Sequence, residues 1–320
     1  MSLDIRPLAK DFSFGVRISG LTRSMAGSPE IRAKINAAFE HAGMIVFEDV
    51  EPTNEMQVAL SNIFGALKEH PVKSIARVDR DGLPGVIELR SAPESGGIVE
   101  FGGRRVAHWL PWHFDHCYND ELNRAGILRA AKITPKGGIT GFLDGVALYQ
   151  LFPADLLAEM EDADIVYTLN TQYATQRFGQ PSDLTIIRPK PMGAEFEAQA
   201  KAMPRAIHPA VWVRPTGEKV LHVSPYMADG ILGREDEQGD ALFEKICQTI
   251  NRLAPSCSYH HRWSTKDMMI WDNWRMLHAV SGHDPAYERI MYRTTIKGDY
   301  GLGRFENNAT GGSILRDTVV

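Results

Sequence analysis

A histidine and an aspartate two residues apart can share one metal ion when the backbone between them is extended, and His113-Phe114-Asp115 is such a pair. It lies in the aromatic stretch His108-Trp109-Leu110-Pro111-Trp112-His113-Phe114-Asp115-His116, where strand alternation would point His113 and Asp115 the same way. One neutral imidazole beside one carboxylate is two-thirds of the set that holds Fe(II) in oxygenases: two His and one carboxylate on one face, three positions open. Zinc more often brings Cys or a third His. The pair alone also fits a plainer reading, a half-buried strand in which His113 hydrogen-bonds Asp115 and Trp109 and Trp112 are core aromatics. A second His arriving from far along the chain separates the two readings.

Met268-Met269-Ile270-Trp271-Asp272-Asn273-Trp274-Arg275-Met276-Leu277-His278 supplies it: a buried strand, a turn, then one His. His260 and His261 are adjacent and face opposite ways, and His41 ends a helix. Beyond His278, the run Arg289-Ile290-Met291-Tyr292-Arg293 places Arg289, Met291 and Arg293 on one face of a strand. Two guanidinium groups on one buried wall demand anions, and the Arg fork suits carboxylates. The competing reading is a pair of surface Arg on an edge strand.

These residues need a scaffold. Phe12–Ile18 alternates as a strand ending at Gly20; Ser28-Pro29-Glu30 opens a helix that buries Ile31, Ile35 and Phe39 and closes at Gly43. Met44–Phe47 reads as a buried strand, and Thr53 caps a second helix with Met56, Leu60 and Ile63 inward, stopping near Gly65. From Pro71 to Ala107 the pattern loosens around repeated glycines, and the segment reads as a lid before the candidate metal strand. Strands follow at Gly126–Ile133, Thr140–Asp144 and Ile165–Leu169, with a short helix from Pro153 to Met160. Residues 170–205 are poorly patterned; Ala210–Arg214 and Lys219–Val223 form a hairpin over Pro215-Thr216-Gly217. Leu242, Phe243, Ile246, Ile250 and Leu253 mark an amphipathic helix before Pro255, and Ser258–Trp263, Asp267–Trp271 and Arg289–Ile296 are the last strands. Many short strands, a few covering helices and no βαβ alternation predict a mainly β double-sheet roll, a jelly roll of the cupin kind. No linker divides it: residues 1–300 read as one domain, with the lid-like insertion at 71–107 and a flexible tail over 301–320.

The 320 residues are 43% hydrophobic and 9% aromatic, ordinary for a soluble globular protein. A net charge of -5 with no basic block makes nucleic acid and acidic membranes poor partners. The three cysteines, Cys117, Cys247 and Cys257, form no CxxC motif, arguing against a disulfide framework or a Cys-based zinc site. The beginning Met1–Arg6 has no apolar leader and no window spans a membrane, so a cytoplasmic location is expected.

Together His113-x-Asp115, His278, Arg289 and Arg293 resemble the signature of the taurine/2,4-D dioxygenase family (TauD/TfdA-like), Fe(II)- and 2-oxoglutarate-dependent oxygenases. Trp271-Asp272-Asn273 and Arg289-Ile290-Met291-Tyr292-Arg293-Thr294-Thr295-Ile296-x-Gly298-Asp299 are similar to that family's closing motif, and Gly43–Phe47, Phe64-Gly65 and Gly137-Gly138-x-Thr140 extend the likeness over most of the chain. The resemblance implies a double-stranded β-helix in which His113, Asp115 and His278 bind Fe(2+). It implies that Thr140 and Arg289 hold the distal carboxylate of 2-oxoglutarate and that Arg293 meets an acidic group on the prime substrate. His70 matches a substrate-binding His of the sulfonate-oxidising members. Where those members carry Tyr and Asn, this chain has Lys73 and Trp109, so an acid bulkier than taurine is expected, with Lys73 closing over its anion. O2 would be consumed and succinate and CO2 released. Asp115 speaks for hydroxylation, since halogenating relatives lack that carboxylate. A homo-oligomer, dimer or tetramer, is expected. Two other classes fit the residues: a Zn- or Mn-dependent roll-type hydrolase or isomerase on the same triad, and a binding module with a vestigial pocket.

Overall fold

The central strands are buried on both faces and build two large facing sheets, with a four-stranded sheet and a two-stranded hairpin besides. The structure is a computed structural model, and it describes residues 3–10, 12–68, 77–79 and 82–306. The larger sheet runs, in spatial order, Asp4–Pro7, Val16–Ser19, Met44–Phe47, Met268–Asp272, Ala125–Lys132, Arg289–Ile296, Leu83–Ser91, Arg77–Asp79. The smaller runs Thr185–Arg188, Ile98–Phe101, Arg104–His113, Met276–His283, Thr140–Asp144, Ser258–His261. All pairings are antiparallel except Val16–Ser19 with Met44–Phe47. The chain passes from Ser258–His261 in the smaller sheet to Met268–Asp272 in the larger, back to Met276–His283, then out to Arg289–Ile296, which is the winding of a jelly roll.

Period-two patterning builds the layers. Ile45, Phe47, Met268 and Ile270 point outward and are covered by Ile35, Phe39, Met56, Leu60 and Ile63 from the helices Pro29–Ala42 and Asn54–Phe64. Their neighbours Met44, Val46, Met269 and Trp271 point inward against Phe142 and Met276 of the smaller sheet. Both helices end where expected. The Thr53 side chain accepts from the Met56 N–H at 3.2 Å, and Gly43 takes the left-handed conformation at φ 74 that a closing residue needs. Ser28 stands at its N-cap position without a side-chain hydrogen bond. The helix Glu237–Cys257 packs Phe243, Ile246 and Ile250 into a second core with Leu143, Tyr167, Leu221 and Leu277.

Several sequence expectations are corrected. Within 71–107, Leu83–Ser91 and Ile98–Phe101 are strands, the first hydrogen-bonded to Arg289–Ile296 and the second to Arg104–His113. Of the glycines in that segment only Gly85 falls inside a strand, and Gly82, Gly96, Gly97, Gly102 and Gly103 lie in the segments that join the strands. Residues 170–205, whose sequence carries no clear pattern, contain the strand Thr185–Arg188 and the helix Ala194–Ala202. The long helix runs past Pro255 to Cys257; the proline falls in the last turn, where Ser256 Oγ donates to the Leu253 carbonyl at 2.7 Å. In the tail, Arg304–Phe305 pairs with Ala206–Pro209, while 307–320 lies outside the described residues. Among the described residues no helix is long and apolar enough to cross a membrane.

Candidate active site

His113 is the last residue of the strand Arg104–His113, and His278 lies directly across from it on Met276–His283. Their ring centroids are 4.0 Å apart. Asp115 reaches the same point from a turn, not from the strand: extended structure stops at His113, and His116 takes φ 61. The shared face inferred from alternation is therefore achieved by a turn that folds the carboxylate back. Asn273 fixes that turn, its Oδ1 accepting from the Asp115 N–H at 2.8 Å and its Nδ2 donating to the Asp115 carbonyl at 3.0 Å.

Behind Asn273 stand two buried imidazoles. His222 Nε2 lies 2.9 Å from the Asn273 carbonyl, and its ring stacks on Phe114 at 3.9 Å. His208 Nε2 lies 3.0 and 2.7 Å from the carbonyls of Cys117 and Asn119. Burial lowers His208 to about 4 and His222 to about 3, so at neutral pH each is uncharged and donates its one N–H to a carbonyl. In the sequence this support shows only in Asn273, which follows Trp271-Asp272 in the closing motif.

His113, Asp115 and His278 are all buried and offer ligand atoms within 4.8 Å of one another. His113 Nδ1 lies 2.8 Å from the Pro111 carbonyl, which assigns the proton to Nδ1 and leaves Nε2 to ligate. Burial pushes both imidazoles down, keeping them in the neutral form that ligates. Burial would raise Asp115, but the Arg293 guanidinium and the two imidazoles outweigh it and hold the carboxyl well below the usual range. Two neutral nitrogens and one carboxylate on one side of a cavity fit a divalent ion of the iron type.

Arg293 lies with Nη1 at 2.9 Å from Asp115 Oδ1 and Nη2 at 2.7 Å from Oδ2. The substrate contact implied for Arg293 is thus met here by a protein carboxylate. Arg289 is buried too, and its one hydrogen bond among the described residues is the 3.3 Å contact from Nη2 to the Gly138 carbonyl. No carboxylate lies in ion-pair range of it among the described residues, and burial pulls its guanidinium down to about 10. Gly138, at φ 69, has no side chain because a Cβ would sit 3.2 Å from Arg289 Nε. Thr140 Oγ1 accepts from the Trp263 indole N–H at 2.9 Å, so the Thr140 hydroxyl proton is free to donate elsewhere.

One cavity of about 210 Å³ is lined by all six of His113, Asp115, Thr140, His278, Arg289 and Arg293. His108, Tyr118, Lys190 and Tyr226, which the sequence reading did not assign, line it as well. Trp109 does not. His108 takes φ 53 and the pairing with Met276–His283 slips between His278 and Val280. Leu110 then faces the cavity, and Trp109 turns to the other side, against Phe101 at 5.0 Å and Tyr173 at 5.5 Å. This corrects Trp109 as a substrate residue and removes the size argument built on it. His70 and Lys73 lie outside the described residues.

A profile described as taurine catabolism dioxygenase TauD, TfdA family, matches residues 4–295. An (S)-phenoxypropionate/alpha-ketoglutarate-dioxygenase from Sphingobium herbicidovorans is 28% identical over 307 residues, covering 93% of this chain and 96% of the relative. An alpha-ketoglutarate-dependent 2,4-dichlorophenoxyacetate dioxygenase from Cupriavidus pinatubonensis is 27% identical over 305 residues, covering 93% and 99%. Among solved structures, AAD-2 in complex with Mn(II) and N-oxalylglycine superposes with a TM-score of 0.69 at 22% identity, covering 93% of this chain and 98% of that one. At that identity it supports the fold alone.

Proposed function

This chain belongs to the TauD/TfdA family of α-ketoglutarate (2-oxoglutarate)-dependent dioxygenases, and from that premise we propose that it hydroxylates a small carboxylate- or sulfonate-bearing molecule bulkier than taurine. Succinate and CO2 are the co-products. The observation that carries the reading is the meeting of the His113–Asp115–His278 cluster with Arg289 and Thr140 on one cavity wall. The two relatives, by name, act on aryloxy acids, and that supports a bulkier acid.

His113, Asp115 and His278 would hold Fe(II), which when bound supplies the activation of O2 that 2-oxoglutarate drives. The protein's own part is orientation. Arg289, buried with no carboxylate partner among the described residues, would form a charge-assisted fork to the far carboxylate of 2-oxoglutarate, with the Thr140 hydroxyl donating alongside. Apolar walls from Leu110, Leu128 and Met291 exclude water from that ion pair and strengthen it. A Zn- or Mn-dependent hydrolase or isomerase is disfavoured, because it gives Arg289 no anion and has no counterpart among the named relatives.

The test is succinate formation with Fe(II), 2-oxoglutarate and O2 over a panel of aryloxy acids, other carboxylates, sulfonates and taurine. Stimulation by an acid larger than taurine, lost in Asp115→Ala, is expected. Turnover that needs no 2-oxoglutarate overturns the reaction class, and taurine as the best substrate overturns the size.

A further inference from the structure

Three cations line the cavity, Lys190, Arg289 and Arg293, against a single acid among the described lining residues, Asp115. Asp115 is taken by Arg293 at 2.9 and 2.7 Å. In the reading above Arg289 takes the distal carboxylate of 2-oxoglutarate. Lys190 is left over: no described carboxylate lies within ion-pair range of its amine, and although the residue as a whole is exposed at the cavity's edge, burial lowers the pKa of the amine itself.

Its placement is built. Lys190 lies between Pro189 and Pro191, and a residue before proline is held extended, so the main chain that carries the amine has little freedom. The segment is also tied down. Arg188 Nε donates to the Gly96 carbonyl at 2.7 Å and its Nη2 to the Pro93 carbonyl at 2.6 Å. Gln172 Nε2 donates to the Lys190 carbonyl at 3.0 Å. Gly97 passes so close that a Cβ there would lie 3.1 Å from the Lys190 N, Cα and Cβ atoms. Lys190, Arg289 and His108 line the same cavity, and burial, then the charges of Arg289 and Lys190, push the His108 imidazole well down.

We propose that Lys190 is the anchor for the acid group of the prime substrate, a cationic post at the cavity's edge that holds the anion while the rest of the molecule lies toward His113, Asp115 and His278. The proposal rests on the reading of this chain as a 2-oxoglutarate-dependent oxygenase of acids. It moves the role that the sequence pattern gave to Arg293 onto a residue 103 positions earlier in the chain, about which the sequence pattern said nothing. An ammonium on a flexible stem suits this task, since it can follow acids of different length where a fixed fork cannot.

The experiment uses the full chain loaded with Mn(II) and 2-oxoglutarate without O2, and measures by calorimetry the binding of phenoxyacetate and of its neutral amide, phenoxyacetamide. Wild type should bind the acid roughly tenfold or more tightly than the amide, the size expected of one charge-assisted contact. Lys190→Met should weaken the acid by that same factor, leave the amide unchanged and keep the Kd for 2-oxoglutarate within about twofold. Lys190→Arg should retain most of the acid preference. An acid preference that survives in Lys190→Met overturns the proposal, as does a loss that falls on 2-oxoglutarate, which would give the amine to the co-substrate. Wild type that takes up 2-oxoglutarate but does not favour phenoxyacetate over its amide overturns it as well. Failure of wild type to bind 2-oxoglutarate is a different result: it removes the oxygenase reading itself before any variant is compared.

Discussion

Arg293 and Asp115 face each other across the cavity with both carboxylate oxygens engaged, Nη1 at 2.9 Å from Oδ1 and Nη2 at 2.7 Å from Oδ2. Both residues are buried, and Asp115 also lies 3.7 Å from His278 Nε2. One carboxylate therefore serves two masters, a guanidinium on the larger sheet and an imidazole on the smaller.

Removing the guanidinium should be felt as stability before it is felt as activity. Arg293→Met leaves a buried carboxylate without its cation, a change that costs about 3 kcal/mol or more in such pairs. The sign with pH follows from Asp115, whose folded-state ionisation is depressed. The pair's contribution is fully present above the unfolded carboxyl value of about 4 and is lost as pH falls through the lower folded value. Urea unfolding of wild type and Arg293→Met should thus give a gap that is widest near neutrality and narrows below about pH 4. A gap that widens on acidification contradicts the pairing.

Asn273 holds the Asp115 turn by both main-chain groups, and neither would find a replacement after truncation. Asn273→Ala should weaken metal binding, read as the Kd of Mn(II) or Co(II) by titration, by about tenfold or more, since outer contacts that orient a ligand are worth that much. Asn273→Asp, isosteric but acceptor-only when ionised, keeps the bond from the Asp115 N–H and loses the one to its carbonyl, so it should fall between. If both variants bind metal as wild type does while losing stability, Asn273 is structural only.

The metal residues were legible because each is a rare type in a telling position. His278 follows a buried strand and a turn, and Arg289, Met291 and Arg293 show a period of two that the strand Arg289–Ile296 reproduces in its burial. The helices were legible from Thr53 and Gly43, whose capping roles are local chemistry. What could not be read depends on neighbours. The glycine-rich segment from Pro71 reads as a lid, yet Leu83–Ser91 is a strand because Arg289–Ile296 pairs with Ile87–Ser91, and Gly85 within it is needed where Leu67 Cδ1 would meet a Cβ at 2.8 Å. Trp109 is placed at the substrate only by its match to a family position, and the slip in pairing between His113 and Leu110 turns it away from the cavity. Lys190 carries no signal at all, since its place is set by contacts with Gly97 and Gln172 from distant segments.

Arg289 should govern the co-substrate. Arg289→Ala removes a buried fork and should raise the Kd for 2-oxoglutarate by about thirty- to a hundredfold, from the 2 to 3 kcal/mol expected of a charge-assisted contact. Arg289→Lys should recover part of this, because an ammonium keeps the charge and loses the fork. The measurement is anaerobic titration of the metal-loaded protein. A Kd unchanged in Arg289→Ala would move the co-substrate elsewhere.

Trp263 should act on the same carboxylate through Thr140. Its indole N–H donates to Thr140 Oγ1 at 2.9 Å, so the hydroxyl proton points away from the indole and is available to the cavity that Thr140 lines. Trp263→Phe keeps a ring against His261, now 4.7 Å away at 84°, and removes only the donor. One neutral hydrogen bond is worth about 1 kcal/mol, so the Kd for 2-oxoglutarate should rise about fivefold with the Kd for metal unchanged. Thr140→Val should raise it by a similar factor, and the double variant should cost little more than either single change, because both remove the same oriented hydroxyl. Full additivity, or a loss of metal binding in Trp263→Phe, would separate Trp263 from Thr140 and leave the indole as packing alone.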